Sequence, residues 1–426
     1  MTVTRRALVG ALVGYGWLAA AGLQAGAASV AAQSAPQQIP RSAGPPSGRG
    51  DQAAQIVGLA QDIMAQLDLR AVIVRVLVDG HDLVTQALGE SMTGVPATPD
   101  MHFRNGAVAI SYVATLLLRL VDRGLVGLDD PLATWLPELP ASDRVTLRML
   151  ANMTAGYYDY VPDPGFTSAS YADPFRQWTP QELIAVSTAQ PHVFEPGSNW
   201  DYAHSNYVIL GQALEQITNQ PLASLLRQQV LGPLGLHHTD DPGTAAMPDP
   251  VLHAFSSERR AALGIPASAR FYEESTYWNP SWTLAQGAIQ YTNIYDMAAT
   301  AVAVGTGVLL SKDSHQAQVD PGLLGFGEPL PGCSGCRTLN PFYNYGLGVV
   351  LNGPWLLQNP LFGGYAAVEA YLPSKRIAIA VATTFAEGSF DAKGNYQSSG
   401  AALALYSGIG ALLAPDEAPP HPPGSG

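Results

Sequence analysis

The hydrophobic pattern of this chain predicts β-strands near both ends and helices between them. In segment 70–79, every second position from 72 to 78 is valine, and the polar turn DGHD separates this segment from a second apolar one at 83–88. An alternation with a period of two is typical of a strand with one buried face, so the two segments predict a β-hairpin. Three segments rich in β-branched and aromatic residues predict further strands near the C terminus: 345–351, 365–372 and 377–384.

The middle of the chain carries helical signals. Segment 107–123 is apolar on all sides, which predicts a buried helix, and Gly124 follows it where a left-handed residue would end the helix. Thr179 is followed by Pro180 and, at the third position, by Glu182; this order is typical of an N-cap with a capping box. Five other segments predict helices: 51–67, 205–217, 222–231, 293–304 and 399–413.

Together these elements predict an α+β fold. The simplest assembly is one antiparallel sheet that takes strands from both chain ends, at about 70–90 and 342–385, with the terminal helices packed on it. A mostly helical part at about 107–310 then packs beside the sheet. We therefore expect one domain over residues 51–413.

The residues outside that domain have other signatures. Arg5 and Arg6 precede an interrupted apolar run and several small residues, so segment 1–31 is typical of an export signal of the general secretory or the twin-arginine type. Segment 32–50 reads as a flexible lead-in, and the proline-rich segment 414–426 predicts a disordered tail. We expect a secreted, periplasmic or cell-envelope protein, with the signal as a membrane attachment only if it stays uncleaved.

Composition narrows the possible partners. The chain has 426 residues, of which 47% are hydrophobic, and a formal net charge of −13. An acidic surface repels phosphate backbones, so nucleic acid is excluded as an expected partner. Cys333 and Cys336 stand in PGCSGC; in an exported protein this spacing favours a disulfide, with a redox role as the alternative. Further paired ligands are missing from the neighbouring sequence, so we predict no metal site and no cofactor.

Several long segments resemble the serine β-lactamase and penicillin-binding-protein family, in particular its class C and esterase-like branch. The resemblance runs from about residue 52 to 413 and implies the β-lactamase/transpeptidase-like fold. It also implies a Ser-x-x-Lys pair at the start of the buried helix, in which the serine forms an acyl-enzyme. The segments that carry it are GLVGLDDPLATWLPE, VTLRMLANMTAGYYDY, FEPGSNWDYAHSNYVILGQALEQITNQPL and GGYAAVEAYLPSKRIAIAVAT.

The chemistry of that family is altered in this sequence. The resemblance places the serine and lysine positions on Ala107 and Ile110, whose side chains can neither attack a carbonyl nor move a proton. The three lysines of the chain are Lys312, Lys375 and Lys393, and none has a serine three positions before it. A shift of the alignment therefore cannot restore the motif.

The other two family motifs are changed as well. Tyr-x-Asn falls on 202–204, where Tyr202 is kept and His204 replaces the asparagine. The third motif, Lys-Thr-Gly or His-x-Gly, falls on 358–360 and has Gln358 at its first position. We therefore expect a binding cleft lined by Ala107, Ile110, Tyr202, His204 and Gln358.

Two interpretations of the remaining polar residues stay open, one catalytic and one structural. Ser111 lies one helical turn after Ala107 and could form a substitute pair with His204 as its base, assisted by Tyr202. The structural interpretation, which we favour, is a buried hydroxyl that bonds back to its own helix. Tyr202 is expected to line the cleft, and His204 is either a proton carrier or a polar filling residue.

We therefore expect a pseudoenzyme without serine acyl-transfer activity that binds a ligand or a partner. Hydrocarbon at the cleft floor favours a small hydrophobic or cell-wall-derived ligand. The alternatives are a hydrolase with relocated residues around Tyr202 and His204, and an interaction protein of the envelope with an empty cleft.

Overall fold

The structure, a computed structural model, describes residues 48–320 and 322–420. The predicted export signal, the lead-in up to residue 47 and the last six residues of the tail lie outside these ranges. The first described helix, α1, is Arg49–Gln66 and so begins slightly before the predicted start at 51. Among the described residues, none of the helices combines the length and the apolar character needed to cross a bilayer.

The strands form an antiparallel sheet that joins the two ends of the domain. Its strands within the described residues are β1 Leu69–Val78, β2 His81–Met92, β3 Val95–Pro96, β8 Asn344–Tyr345, β9 Val350–Asn352, β10 Trp355–Gln358, β11 Leu361–Phe362, β12 Tyr365–Leu372 and β13 Ile377–Phe385. These nine strands lie in the order β3-β2-β1-β13-β12-β10-β9-β8, with β11 paired to β12. β1 and β13 lie side by side, with Val74 opposite Val381, so the predicted sheet with strands from both chain ends is confirmed.

Alternation along β1 gives the sheet two buried faces. Val72, Val74 and Val76 belong to the main core, which also contains residues of α1 and of the last helix. The intervening Ala71 and Ile73 belong to a second core against the helix Ile294–Thr306. Successive side chains of a strand point to opposite faces, so the uninterrupted apolar run from Ala71 to Val74 is covered on both sides of the sheet.

Helices fill the centre and cover the sheet. The predicted buried helix is α2, Val108–Asp122, and Gly124 follows it with a φ of +68°. The capping box of Thr179 and Glu182 is formed, as predicted, at the start of Pro180–Thr188. The helices after α2 are α3 Leu147–Ala151, α4 Pro164–Ala172, α5 Pro180–Thr188, α6 His204–Thr218, α7 Leu222–Leu226, α8 Ile294–Thr306, α9 Lys312–Val319 and α10 Ala401–Leu413. Four two-residue strands lie among them: β4 Phe103–Arg104 pairs with β7 Tyr291–Thr292, and β5 Phe255–Ser256 pairs with β6 Glu273–Glu274.

Two predicted elements are interrupted in the structure. The strand predicted at 345–351 is split between β8 and β9, because Gly348 adopts a φ of +72° and lies close to α2. A Cβ atom at Gly348 would be 2.6 Å from Cβ of Ala114. The helix predicted at 222–231 is α7 followed by a turn of π-helix, Arg227–Leu231.

The prediction of a disordered tail is wrong for residues 414–420. Ala414 is fully buried, and a 3₁₀ turn, Pro415–Glu417, follows it. Nε1 of Trp355 donates to the carbonyl oxygen of Glu417 at 2.8 Å, and Lys375 forms an ion pair with Asp416. Proline does prevent a regular helix here, but these side-chain partners on the sheet hold the segment in place.

Candidate functional site

The predicted nucleophile position lies at the entrance of α2. Ala107 is the residue just before the helix, and Gly106 precedes it with a φ of +52°. A Cβ atom at Gly106 would be 2.5 Å from Cβ of Pro360, which comes from the third-motif segment. The backbone before α2 and Pro360 are therefore in close contact, and Ala107 contributes a methyl group beside them.

Further along α2, the side chains are enclosed in the core. Ile110 is 2% exposed and belongs to the main core. Ser111 is fully buried, and its Oγ donates a hydrogen bond of 2.7 Å to the carbonyl oxygen of Val108. This is the back-bonding that the structural interpretation of Ser111 predicted, and it uses the hydroxyl proton that a nucleophile would have to give to a base.

His204 lies at the first position of α6, where an aspartate from another segment caps the helix. Ala203 offers no side-chain cap, so Asp159 takes that role: its Oδ1 accepts the backbone N–H of His204 at 3.1 Å and that of Val161 at 3.3 Å. The imidazole Nδ1 of His204 also lies 3.2 Å from Oδ2 of Asp159. A carboxylate is favourable at the positive end of a helix, and here it also orients the imidazole ring.

Aromatic rings surround this pair. The ring of Tyr202 meets that of His204 edge to face, with centroids 5.4 Å apart, and the rings of Tyr160 and Trp282 lie at 6.1 and 6.3 Å. Burial raises the pKa of the Tyr202 phenol well above its usual value. The phenol therefore keeps its proton at neutral pH and is not available as a general base.

Gln358 occupies an interior position of the sheet. It ends β10, is 1% exposed, and its Nε2 donates to the carbonyl oxygen of Gly348 at 2.7 Å. Ile110, Tyr202 and Gln358 therefore lie in the packed interior, and a ligand could contact them only after neighbouring groups moved. The assignment of these residues to a binding cleft stays a prediction.

An open pocket lies next to the aromatic surroundings of His204. Trp282 connects the pocket with the surroundings of His204, because it lines the pocket and its ring also faces the imidazole ring. Its ring contacts that of Phe362 edge to face, with centroids 5.4 Å apart. The aromatic residues of the wall, which we call the aromatic pocket, are Phe166, Tyr171, Trp178, Trp278, Trp282 and Phe362.

The charged side chains of the aromatic pocket are engaged with protein groups. The guanidinium of Arg176 lies 3.7 Å from the ring centroid of Trp178. Glu258 accepts hydrogen bonds from the hydroxyls of Ser256 and Tyr396 at 2.7 and 2.8 Å, and burial raises the pKa of Glu258. The pocket therefore offers mainly ring surface to a ligand.

Sequence reasoning missed this pocket. Trp278 and Trp282 are four positions apart, but Trp178 precedes them by about a hundred residues, and no motif joins the three. Asp159 was also missed, although it stands in the segment YYDY of a stretch that carries the family resemblance. One feature of the sequence could have indicated such a residue: Ala203, just before His204, has no side chain that can cap the helix, so a polar group from another segment has to do so.

Solved structures of other proteins share the arrangement of sheet and helices described above. The fold is that of β-lactamase/transpeptidase-like proteins. D-amino acid amidase of Ochrobactrum anthropi, in a structure with D-phenylalanine, superposes with a TM-score of 0.68 at 21% identity, over 84% of this chain and 99% of that one. A D-stereospecific amidohydrolase of Streptomyces gives 0.66 at 23% identity, over the same two shares.

The sequence gives the family itself. Residues 56–403 match the Beta-lactamase family, so the chain belongs to that family. Esterase EstB of Burkholderia gladioli is 28% identical over 303 residues, which are 66% of this chain and 74% of the esterase. Penicillin-binding protein 4 of Amycolatopsis lactamdurans is 33% identical over 180 residues, or 38% of this chain and 42% of that protein. The predicted relation to β-lactamases, esterases and penicillin-binding proteins is confirmed.

Proposed function

We propose that this protein is a ligand-binding member of the Beta-lactamase family that does not carry out serine acyl transfer. The observation that carries the proposal is the entrance of α2, where Ala107 and the enclosed Ile110 stand at the expected serine and lysine positions. Ser111, the nearest hydroxyl further along the helix, is bonded to the backbone. Without a nucleophile the covalent route is closed, and a catalytic constellation that acts as a unit contributes about a millionfold in rate.

The aromatic pocket is the proposed binding site, and a small apolar ligand with an aromatic or alicyclic ring is the proposed class. Stacking on indole rings favours flat or ring-shaped apolar groups. Asp173, Arg176 and Glu258 also line the pocket, and Arg176 is paired with Glu182, so an anionic ligand such as a carboxylated β-lactam would meet no excess of positive charge.

We propose further that the protein acts outside the cytoplasm, in the cell envelope or the medium. This is supported by the residue pattern of segment 1–31 and by the disulfide between Cys333 and Cys336, since disulfides persist in oxidising compartments. Cell fractionation with an antibody against the chain would test it, and recovery of the protein only from the cytoplasm would contradict it.

The absence of acyl transfer is tested by covalent labelling. The full chain is incubated with a fluorophosphonate and, separately, with a fluorescent penicillin, and intact mass is measured. We expect no adduct under conditions in which an active serine esterase is labelled completely. Stoichiometric labelling of any serine would refute the proposal.

Ligand binding is tested with N-phenyl-1-naphthylamine, a neutral aromatic dye whose fluorescence rises in apolar sites. We expect binding of one dye per chain and a loss of about tenfold or more in affinity for Trp282→Ala, since a central aromatic contact is typically worth over 1 kcal/mol. Val308→Ala, at a side chain that is 65% exposed and outside the pocket, is the matched control. Equal affinity of both variants would exclude the aromatic pocket as the site.

A second function is favoured by one observation, the contact between Asp159 and His204. An imidazole held by a carboxylate at Nδ1 is the arrangement of a general base, so a hydrolase that activates water at Nε2 is the alternative. The measurement is hydrolysis of p-nitrophenyl butyrate by wild type and by His204→Ala. His253→Ala is the control, because His253 also contacts a carboxylate, that of Glu274. Activity that only His204→Ala abolishes would establish the alternative.

A further inference from the structure

The loop that carries Cys333 and Cys336 packs against the segment that leads into α6. The two sulfurs are bonded to each other, and a carboxylate oxygen of Asp201 lies within 4.8 Å of both. Gly335, between the cysteines, touches the same carboxylate: a Cβ atom there would be 2.0 Å from Oδ1 of Asp201. Glycine at 335 is therefore what allows the loop to approach the aspartate so closely.

The two cysteines differ in their accessibility. Cys336 is 6% exposed, whereas Cys333 is only half-buried. The backbone N–H of Cys336 also donates to Sγ of Cys333 at 3.1 Å. A hydrogen-bond donor on a sulfur stabilises the thiolate form, so the accessible sulfur is also the one that the loop would stabilise after the disulfide is opened.

Asp201 is a buried acid whose carboxylate lies near both sulfurs. It is 6% exposed, and burial, followed by the negative charge of Asp159, raises its pKa to about 7. Arg337 and His204 oppose this rise. A carboxyl group with such a pKa holds its proton below neutral pH and can exchange it near neutrality, unlike an ordinary surface aspartate.

We propose that Cys333 and Cys336 form a redox-active pair that exchanges with a dithiol donor, with Cys333 as the attacked sulfur and Asp201 as the proton donor to Cys336. This activity is separate from the ligand binding proposed above. The partner is defined by its chemistry: a small dithiol, or a protein with two neighbouring thiols, that reaches the half-buried Cys333.

The exchange transfers two electrons from the donor dithiol to the disulfide between Cys333 and Cys336. A thiolate of the donor attacks Sγ of Cys333; the S–S bond to Cys336 breaks, and its electron pair goes to Sγ of Cys336, which takes the proton of Asp201. The second thiol of the donor, as thiolate, then attacks the donor sulfur of the mixed disulfide and releases Cys333 as a thiolate. The donor leaves as a disulfide, oxidised by two electrons, and solvent protons restore Asp201 and Cys333.

The first test measures reduction of the native chain by dithiothreitol, followed by alkylation and mass spectrometry. We expect the disulfide to be reduced while circular dichroism stays that of the folded protein. A disulfide that is reduced only when the chain unfolds would overturn the proposal and leave the bond as a structural clip.

The second test isolates the proton donor. Asp201→Asn should be reduced about tenfold more slowly than wild type at about pH 6, and the two rates should converge above about pH 8, where Asp201 has lost its proton. Asp241→Asn is the matched control, because burial also raises the pKa of Asp241 but it is not in the group around the sulfurs. A wild-type-to-variant rate ratio that does not change with pH would overturn the role of Asp201.

The third test separates the two sulfurs and does not depend on Asp201. Cys336→Ser leaves Cys333 as a single thiol, and Cys333→Ser leaves Cys336. We expect iodoacetamide to modify Cys333 at least about tenfold faster than Cys336, because thiol reactivity follows exposure and thiolate stabilisation. Equal rates in folded variants would contradict the assignment of Cys333 as the attacked sulfur.

Discussion

Replacement of Glu369 by glutamine should stabilise the protein at neutral and alkaline pH. Glu369 lies in the middle of β12 and is 2% exposed. On the same face of the strand, two residues away on either side, are Ala367 and Tyr371 of the second core. Burial raises the pKa of this carboxyl group from 4.5 to about 8. Glutamine has nearly the same shape but no charge to bury, so it removes the cost of ionisation and leaves the packing intact.

The magnitude follows from linkage between protonation and folding. Because the folded-state pKa of Glu369 is above the unfolded value, the folded chain binds the proton more tightly, and stability falls as pH rises from 4.5 to about 8. One pKa unit corresponds to about 1.36 kcal/mol, so the full loss is roughly 5 kcal/mol above pH 8 and roughly 3 kcal/mol at pH 7. Below pH 4.5 wild type and variant should have similar stability.

The assay is urea unfolding of wild type and Glu369→Gln at several pH values between about 4.5 and 8.5. The free energy of unfolding of the variant minus that of wild type should rise by about 1.4 kcal/mol per pH unit and then level off. Titration of the other groups cancels in this difference. Glu138→Gln, at an exposed position, is the control for the loss of a glutamate carboxyl group that is not buried. A difference for Glu369→Gln that does not change with pH would refute the reasoning.

Three further predictions concern the N-cap of α5, the turn between β8 and β9 that packs on α2, and the predicted nucleophile position. Thr179→Ala removes the N-cap of α5 and should lower the free energy of unfolding by about 1 kcal/mol in urea unfolding; an unchanged value would contradict the role of the capping box. Gly348→Ala should cost about 2–5 kcal/mol in the same assay, because it adds a left-handed alanine and a Cβ 2.6 Å from Ala114. Ala107→Ser should remain unlabelled by fluorophosphonate, because Ile110 supplies no base and Ser111 is bonded to the backbone; rapid labelling would show a base that we have not identified.

The local elements of this protein could be predicted from its sequence because their signals lie within a few residues. The regularly spaced valines define β1, and the apolar residues between them place its other face in the second core. Gly124 ends α2, and Thr179 with Glu182 begins α5, through contacts inside one or two turns. The disulfide, too, joins cysteines only three positions apart.

Elements that depend on a distant neighbour were predicted less well. The strand at 345–351 is broken where Gly348 meets α2, and the tail at 414–420 is held by Trp355 and Lys375 on the sheet. Propensity favours a continuous strand in the first case and disorder in the second. Tertiary packing overrides both of these local preferences. The contacts responsible involve residues far away in the sequence, so a local pattern carries no information about them.

By itself, the sequence determined the family, the α+β order of elements and the hydrocarbon at Ala107 and Ile110, because these are properties of the residues and of their spacing. Only the tertiary structure decided what surrounds His204. It brings Asp159 to the start of α6, Trp282 to the imidazole ring and Asp201 to the disulfide. The physical reason is that each of these contacts joins side chains that are distant along the chain and are brought together only when the whole domain folds. Hydrogen bonds and ring contacts between such side chains leave no periodic pattern in the sequence.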